Sequence, residues 1–469
     1  MTASRSWACR PRSRSSPARS TNRRAAGPRS TSICSSTGFT TKAVTSLRSR
    51  CRSCSSTTSA PSSAGCEPDP RLSHESDEEE RPMKILTMKL TGPTRRAFGA
   101  AAVAAALIAG LGATGADAQT VEHPEGFNPD EWVIVASVIN TTNPYMISNI
   151  EGAEAISEAL GIPLEIVNSN NSSQTSISSI YAILASGKKP IMFVNTVASS
   201  DAPTIVEAVK QAGGYVTIWW NKPDEYKPQD VGDNFVAFQK HTGVDSGRCG
   251  AQALAEALGG EGDVILLPGV QDSTTSKTRV AGFRAEIAEN YPGINILEER
   301  PSNWDPQLGA RNARDLIVKY GDQIDGVWSA DDGMQIGAMQ SFENAGLLDR
   351  VKFASDGLYP KTLEDIKSGR GNNAIVGETF HRGYMASAIG LYTAYLAASG
   401  QIVPSELEDN KRESFFKLSC VTPENYEQYL QYDEEGAPAE FVERLIANGP
   451  WDTEPVPLVG GGVEVLPES

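Results

Sequence analysis

The chain has 469 residues, 39% hydrophobic and 21% charged, with a net charge of −16. This balance fits two or three globular domains and excludes a largely disordered or membrane-embedded chain. The charge is uneven: residues 1–82 hold 14 Lys and Arg against 7 Asp and Glu, whereas residues 119–469 hold 24 against 50, an acidity that repels phosphate backbones and anionic lipid and argues against nucleic-acid and membrane-surface binding.

Residues 1–82 are rich in Ser, Arg, Thr and Pro and lack apolar periodicity, so they read as a low-complexity leader, disordered or not genuinely translated, with Met83 as the true start. The Cys51-x-x-Cys54 pair in it has neither the second ligand pair of a zinc site nor the strand-helix context of a redox motif. Residues 83–118 read as an export signal. A positive start precedes an apolar run from Gly99 to Gly115 and the small-x-small triplet Ala116, Asp117, Ala118, which predicts cleavage before Gln119. The run is too short and too rich in small residues for a membrane span, and "TRRAF" (Thr94–Phe98) resembles the twin-arginine signature. Only Cys249 and Cys420 survive cleavage, equally able to pair in an oxidising compartment or to stay as buried thiols.

From Trp132 onward, short β-branched runs alternate with helical patterns. The strand candidates are "WVIVASV", "LEIV", "IMFV", "YVTIWW", "FVAF", "DVILL", "INILEE", "GVWSA", "VKFAS" and "NAIVGET". Apolar residues at i, i+3, i+4 spacing fill the intervals, as in Ile150–Leu160 and Ala251–Leu258. This alternation predicts right-handed βαβ units in an α/β fold of two doubly wound, parallel-sheet lobes. After Pro404 the pattern weakens, and the Pro- and Gly-rich end reads as an extended tail.

In open α/β sheets, ligands bind beyond the carboxyl ends of the strands. Here those ends are polar and aromatic: Asn143 and Tyr145; Asn195; Trp219, Trp220 and Asn221; Asp272 and Lys277; Trp304 and Asp305; Asp331 and Asp332; Asp356; and Glu378. Hydrogen-bonding groups interleaved with aromatic rings suit a polyhydroxylated ring, whose hydroxyls need donors and acceptors and whose C–H faces stack on rings. Strand alternation sends Trp219 to the core and Trp220 to the cleft. Asp332, at a helix start, reads as a cap or support, and Asp331 as the ligand contact.

Several motifs, in order, resemble the periplasmic sugar-binding proteins of ABC transporters, in the ribose-binding branch of the type I fold. They are "VINTTNPYMISNIEGAEAISEALG", "SKTRVAGF", "NWDPQLGARNARDLI", "GVWSADDGMQIGAMQSFENAG" and "FASDG", spread over roughly residues 130–400. The resemblance implies that Asn143 bonds sugar hydroxyls, that Tyr145 and Met146 line one face of the sugar, and that Trp304 stacks on the other. Trp220 and Asn221 stand where the family often has Asp-Arg, and Lys277 where it usually has Arg. Asp331 stands for a common Asn, Asp356 matches the family Asp, and Glu378 replaces a Gln or other polar residue. Losing a bidentate Arg while gaining acids admits a cationic or amino-bearing ligand. His241 and His381 read as surface or hinge residues.

The resemblance also implies a multi-segment hinge, crossing near Phe238–His241, Phe380–Gly383 and Lys411–Phe415. It divides the mature chain into residues 128–239 plus 380–413, residues 240–379 plus 414–440, and a tail from 441 to 469. The implied function is capture of a monosaccharide or small polyol in the periplasm by hinge closure, by a monomer without cofactor or metal, and delivery to an inner-membrane ABC permease. The alternative is a sugar or furanosyl-signal sensor for a chemoreceptor or histidine kinase. Residues 119–469 contain no H-E-x-x-H, G-x-S-x-G or G-x-G-x-x-G motif, so catalysis is not expected; its best candidate would be a glycosidase pair of Asp331 and Asp356.

Overall fold

The computed structural model describes residues 121–467; the leader and the export signal lie outside the described residues. The first lobe is built in chain order from β1 (Trp132–Val138), α1 (Pro144–Leu160), β2 (Leu164–Asn168), α2 (Ser173–Leu184), β3 (Lys189–Asn195), α3 (Ala202–Gln211), β4 (Tyr215–Trp219), α4 (Pro228–Val231) and β5 (Phe235–His241). The second follows with α5 (Gly243–Ala257), β6 (Glu261–Leu267), α6 (Thr274–Asn290), β7 (Gly293–Glu299), α7 (Pro306–Tyr320), β8 (Gly326–Ser329), α8 (Asp332–Asn344), β9 (Lys352–Ala354), α9 (Pro360–Ser368), α10 (Arg370–Asn373) and β10 (Ile375–Thr379). The chain then returns through α11 (Gly383–Ala398), α12 (Asp409–Arg412), β11 (Glu413–Phe416), β12 (Cys420–Val421), α13 (Ala437–Asn448) and β13 (Leu458–Gly461).

The ten expected strands all form and, with β11, β12 and β13, make up two sheets. One has the order β13-β11-β5-β4-β3-β1-β2, the other β12-β10-β9-β8-β6-β7. All pairings are parallel except β11 with β13 and β10 with β12. Each sheet reverses direction between its first and third strands, at β1/β3 and β6/β8, and such a switch point leaves a crevice at the carboxyl ends. β1 is buried along its whole length, as a strand covered by helices on both faces must be.

Three segments cross between the lobes: β5 to α5, β10 to α11, and β11 to β12. The third lies at residues 417–419, later than the expected Lys411–Phe415, because Glu413–Phe416 pairs parallel to β5 within the first lobe. Arg412 pins it there, donating to the carbonyls of Val236, Pro404, Pro228, Gly232 and Phe235. The expected extended tail also needs correction. Phe441, Val442 and Leu445 form the buried stripe of α13, and β13 extends the first sheet. Further on, Glu464 pairs with Lys240 at 2.6 Å.

Close helix packing brings the start of α1 to the second crossing. A Cβ on Gly383 would collide with the Tyr145 carbonyl, and one on Gly152 with the Tyr384 carbonyl, so both positions require glycine. Cys249 and Cys420 are joined as a disulfide, tying α5 to the strand that follows the third crossing. No helix among the described residues is long and apolar enough to cross a membrane.

Candidate functional site

A small cavity lies between the lobes, where the two sets of strand ends face each other. Tyr145, Met146, Asn195, Trp220 and Asn221 line it from the first lobe, and Thr275, Arg279, Trp304, Asp331 and Tyr359 from the second. His381, on the second crossing, closes the wall. The space amounts to about 30 Å³, room for a water or two rather than a sugar ring. A sugar can enter only if the lobes part.

Cross-lobe hydrogen bonds hold the walls together. Asn143 caps α1, its Oδ1 accepting from the Tyr145 amide at 2.8 Å, while its Nδ2 donates to Asp331 Oδ1 at 3.0 Å. Asn221 Oδ1 accepts from the Ser273 hydroxyl at 2.7 Å and the Thr275 amide at 3.2 Å, so a residue of one lobe caps the first turn of α6 in the other. Trp220 and Trp304 have φ of +77° and +61°, a region that bulky residues rarely occupy and that clusters at functional sites. Trp220 is held by Nε1 donating to Tyr145 Oη at 2.8 Å and by its carbonyl accepting from the Thr275 hydroxyl at 2.8 Å. Trp219 faces the core and stacks on Phe416.

Four expected ligand contacts do not line the cavity. Asn143 is fully buried beside it, its amide taken up by the cap of α1 and by Asp331. Lys277 is half-exposed, 3.8 Å from Asp272. The basic group in the cavity is Arg279, because Thr275 and Arg279 stand one turn apart on the inner face of α6 and Lys277 lies between them on the outer face. Asp356 sits behind the lining, where its Oδ1 accepts from Arg279 at 2.7 Å and from His381 Nε2 at 2.5 Å. Glu378 is still inside β10, paired in register with Val421, and bonds Gln335 Nε2 at 2.7 Å. The cap of α8 is Asp331, not Asp332: Asp331 Oδ1 accepts from the Gly333 and Met334 amides, at 2.8 and 3.4 Å, and its Oδ2 accepts from the Tyr359 hydroxyl. Asp332 points down and accepts from the Tyr359 amide and the Ser355 hydroxyl.

The electrostatics follow from burial. Asp331 is pushed up to about 6, because burial and the neighbouring Asp332 outweigh its bonds to Tyr359 and Asn143 and the charge of Arg279. Burial also works on Asp356, but Arg279 and His381 hold its carboxyl below the ordinary range. Arg279 donates to the Ala330 carbonyl at 2.6 Å and lies 4.8 Å from the centre of the Trp220 ring. A guanidinium thus faces the cavity, paired with Asp356, which weakens the electrostatic case for a cationic ligand.

Burial and the charge of Asp332 raise Glu378 well above the carboxylate range. A proton held more tightly when folded stabilises at low pH, and that stability is lost as pH rises from the ordinary carboxylate value through the raised one, by about 1.4 kcal/mol per pH unit at most. Glu378→Gln carries a permanent N–H in place of this proton. Its urea midpoint is expected to exceed the wild-type midpoint at pH 8 and to match it at pH 4.5; midpoints that fall in parallel would reject a protonated Glu378.

Several buried polar atoms in or beside the lining have no partner among the described residues: Asn195 Nδ2 and Oδ1, Trp304 Nε1, Arg279 Nε and His381 Nδ1. These are unused donors and acceptors of mixed kind, the set that a hydroxylated solute needs. Arg279, Tyr359 and Thr275 escaped the sequence reading, although Arg279 stands in the quoted "SKTRVAGF"; His381, expected at the surface or hinge, is on the second crossing and lines the cavity.

Residues 134–400 match the family model for a periplasmic binding protein domain. The chain belongs to the periplasmic binding protein family, in its ribose-binding-like type I branch. The xylitol-binding protein of Mycolicibacterium smegmatis is 25% identical over 331 residues, covering 71% of this chain and 87% of that one. The ribose import binding protein of Salmonella typhimurium is 24% identical over 237 residues, 50% of this chain and 76% of its own. The solved structure of a twin-arginine translocation pathway signal protein from Burkholderia phytofirmans aligns with a TM-score of 0.64 at 28% identity, covering 71% of this chain and 98% of that one. Members of this family are periplasmic solute-binding proteins, not enzymes.

Proposed function

We propose that this protein captures a neutral monosaccharide or small polyol in the periplasm and delivers it, as a monomer without catalysis, to an inner-membrane ABC permease. Asn195 carries this reading. It is fully buried at the end of β3, lines the interlobe cavity, and has both ends of its amide unpartnered. A buried amide costs stability unless something bonds to it, and a solute hydroxyl both donates and accepts. Closure around the solute expels water, so each hydroxyl must find a protein partner. Names among the relatives, xylitol-binding and ribose import binding, support the solute class. Thr94–Phe98 and the Burkholderia neighbour support export by the twin-arginine route.

The test is a thermal-shift screen of the exported protein against pentoses, hexoses, deoxy and amino sugars, polyols and nucleosides. A solute at 100 times its Kd adds about 2.7 kcal/mol, expected for a neutral polyhydroxylated compound and not for amino sugars. Asn195→Leu is expected to keep its stability within about 1 kcal/mol and to lose about 10- to 100-fold in affinity, the worth of two hydrogen bonds. A folded protein that no sugar or polyol shifts would overturn the reading.

A further inference from the structure

His381 follows the end of β10 and is 2% exposed. Its Nε2 lies 2.5 Å from Asp356 Oδ1, an oxygen that also accepts from Arg279. The carboxylate therefore accepts and the ring donates, which places the proton on Nε2. Nδ1 is left as a bare acceptor, buried and without a partner among the described residues. The ring sits among Tyr145, Trp220 and Tyr359, at centroid distances of 4.9, 5.3 and 6.2 Å. His241 stacks on it at 5.9 Å and 23°, and His241 Nδ1 donates to the Lys417 carbonyl at 2.9 Å. The three crossings between the lobes thus meet at two imidazoles.

We infer that His381 Nδ1 is the acceptor for a hydroxyl of the solute, and that this makes capture sensitive to acid, because a protonated ring has no lone pair to offer. The inference deepens the sugar or polyol reading and rests on it. Asp356 and the more distant Asp332 attract a proton to the ring. Burial and Arg279 oppose one, and the closed cleft holds His381 below its ordinary value. His241 is pushed down to about 3, chiefly by burial. Glu378, on the same strand, bonds Gln335, and Arg382 pairs with Asp433. In an open cleft, water reaches the ring and relieves its burial, so acid charges His381 more readily before the lobes close. Asp331 acts in the opposite sense. Its carboxyl is pushed up to about 6, chiefly by burial, so through it acid favours closure.

The experiment titrates the exported protein with the best binder from the panel above, at pH 8 and pH 6. For the wild type, the effects of the two groups oppose and partly cancel between pH 8 and pH 6. For Asp331→Asn the opposing group is gone, so the weakening of binding by acid is expected to be larger than in the wild type. His381→Gln keeps an acceptor at every pH; it binds more weakly at pH 8, and its pH effect reverses to about twofold tighter at pH 6. Acid weakening retained in His381→Gln, or absent from Asp331→Asn, overturns the inference while the sugar reading stands. Binding of no panel member at either pH overturns both.

Discussion

Replacing Arg279 by Met is expected to abolish measurable solute binding and to lower stability by about 3–5 kcal/mol, the usual cost of removing one partner of a buried ion pair. Arg279 and Asp356 are 3% and 1% exposed, and without the guanidinium Asp356 keeps only the neutral His381 ring as a side-chain hydrogen-bond partner. The Ala330 carbonyl loses its donor, and the Trp220 ring loses a cation against its face. Arg279→Lys restores charge but not the fork that reaches Asp356 and Ala330 together, so it is expected to recover most of the stability and little of the affinity. Urea midpoints and calorimetric titration separate the two losses. An Arg279→Met protein that binds its solute with wild-type affinity would remove Arg279 from the site.

The second large effect concerns the Cys249–Cys420 bridge. It closes a stretch of 171 residues, and restricting a loop that long in the unfolded chain is worth about 4–5 kcal/mol. The double substitution Cys249→Ser with Cys420→Ser, or reduction of the wild type, is expected to lower the unfolding free energy by that amount, seen as a lower urea midpoint. Neither cysteine lines the cavity, so the affinity of the folded protein should stay within a few-fold. A midpoint that does not move on reduction would show that packing of β12 against β10 suffices to hold the third crossing.

The strands were legible because burial on both faces demands continuous β-branched and aromatic runs, and "WVIVASV" or "DVILL" can be little else. Reading strand ends as the place of binding brought Asn143, Tyr145, Trp220, Asn221, Trp304 and Asp331 into view, and the structure sets all of these at the interlobe crevice. The misplacements share a cause. Lys277 and Arg279 are two residues apart on a helix, and only the rotation of α6 decides which faces inward. Glu378 and His381 differ by three residues, and only the register of β10 with β12 decides which lies beyond the strand end. Asp331 and Asp332 both suit a helix start, and the first caps because its backbone is extended there.

By itself, the sequence determined the alternation of strands and helices, the two-lobed α/β plan and the polar, aromatic character of the strand ends, because each follows from local periodicity and composition. The tertiary structure alone decided that Arg279 rather than Lys277 supplies the cavity's positive charge, that Cys249 pairs with Cys420, that the tail adds β13 to the first sheet, and that His241 meets His381. These outcomes depend on contacts between residues far apart in the chain. No local pattern records them, since the same side chain reads alike whether folding turns it toward water, toward the core or toward a solute.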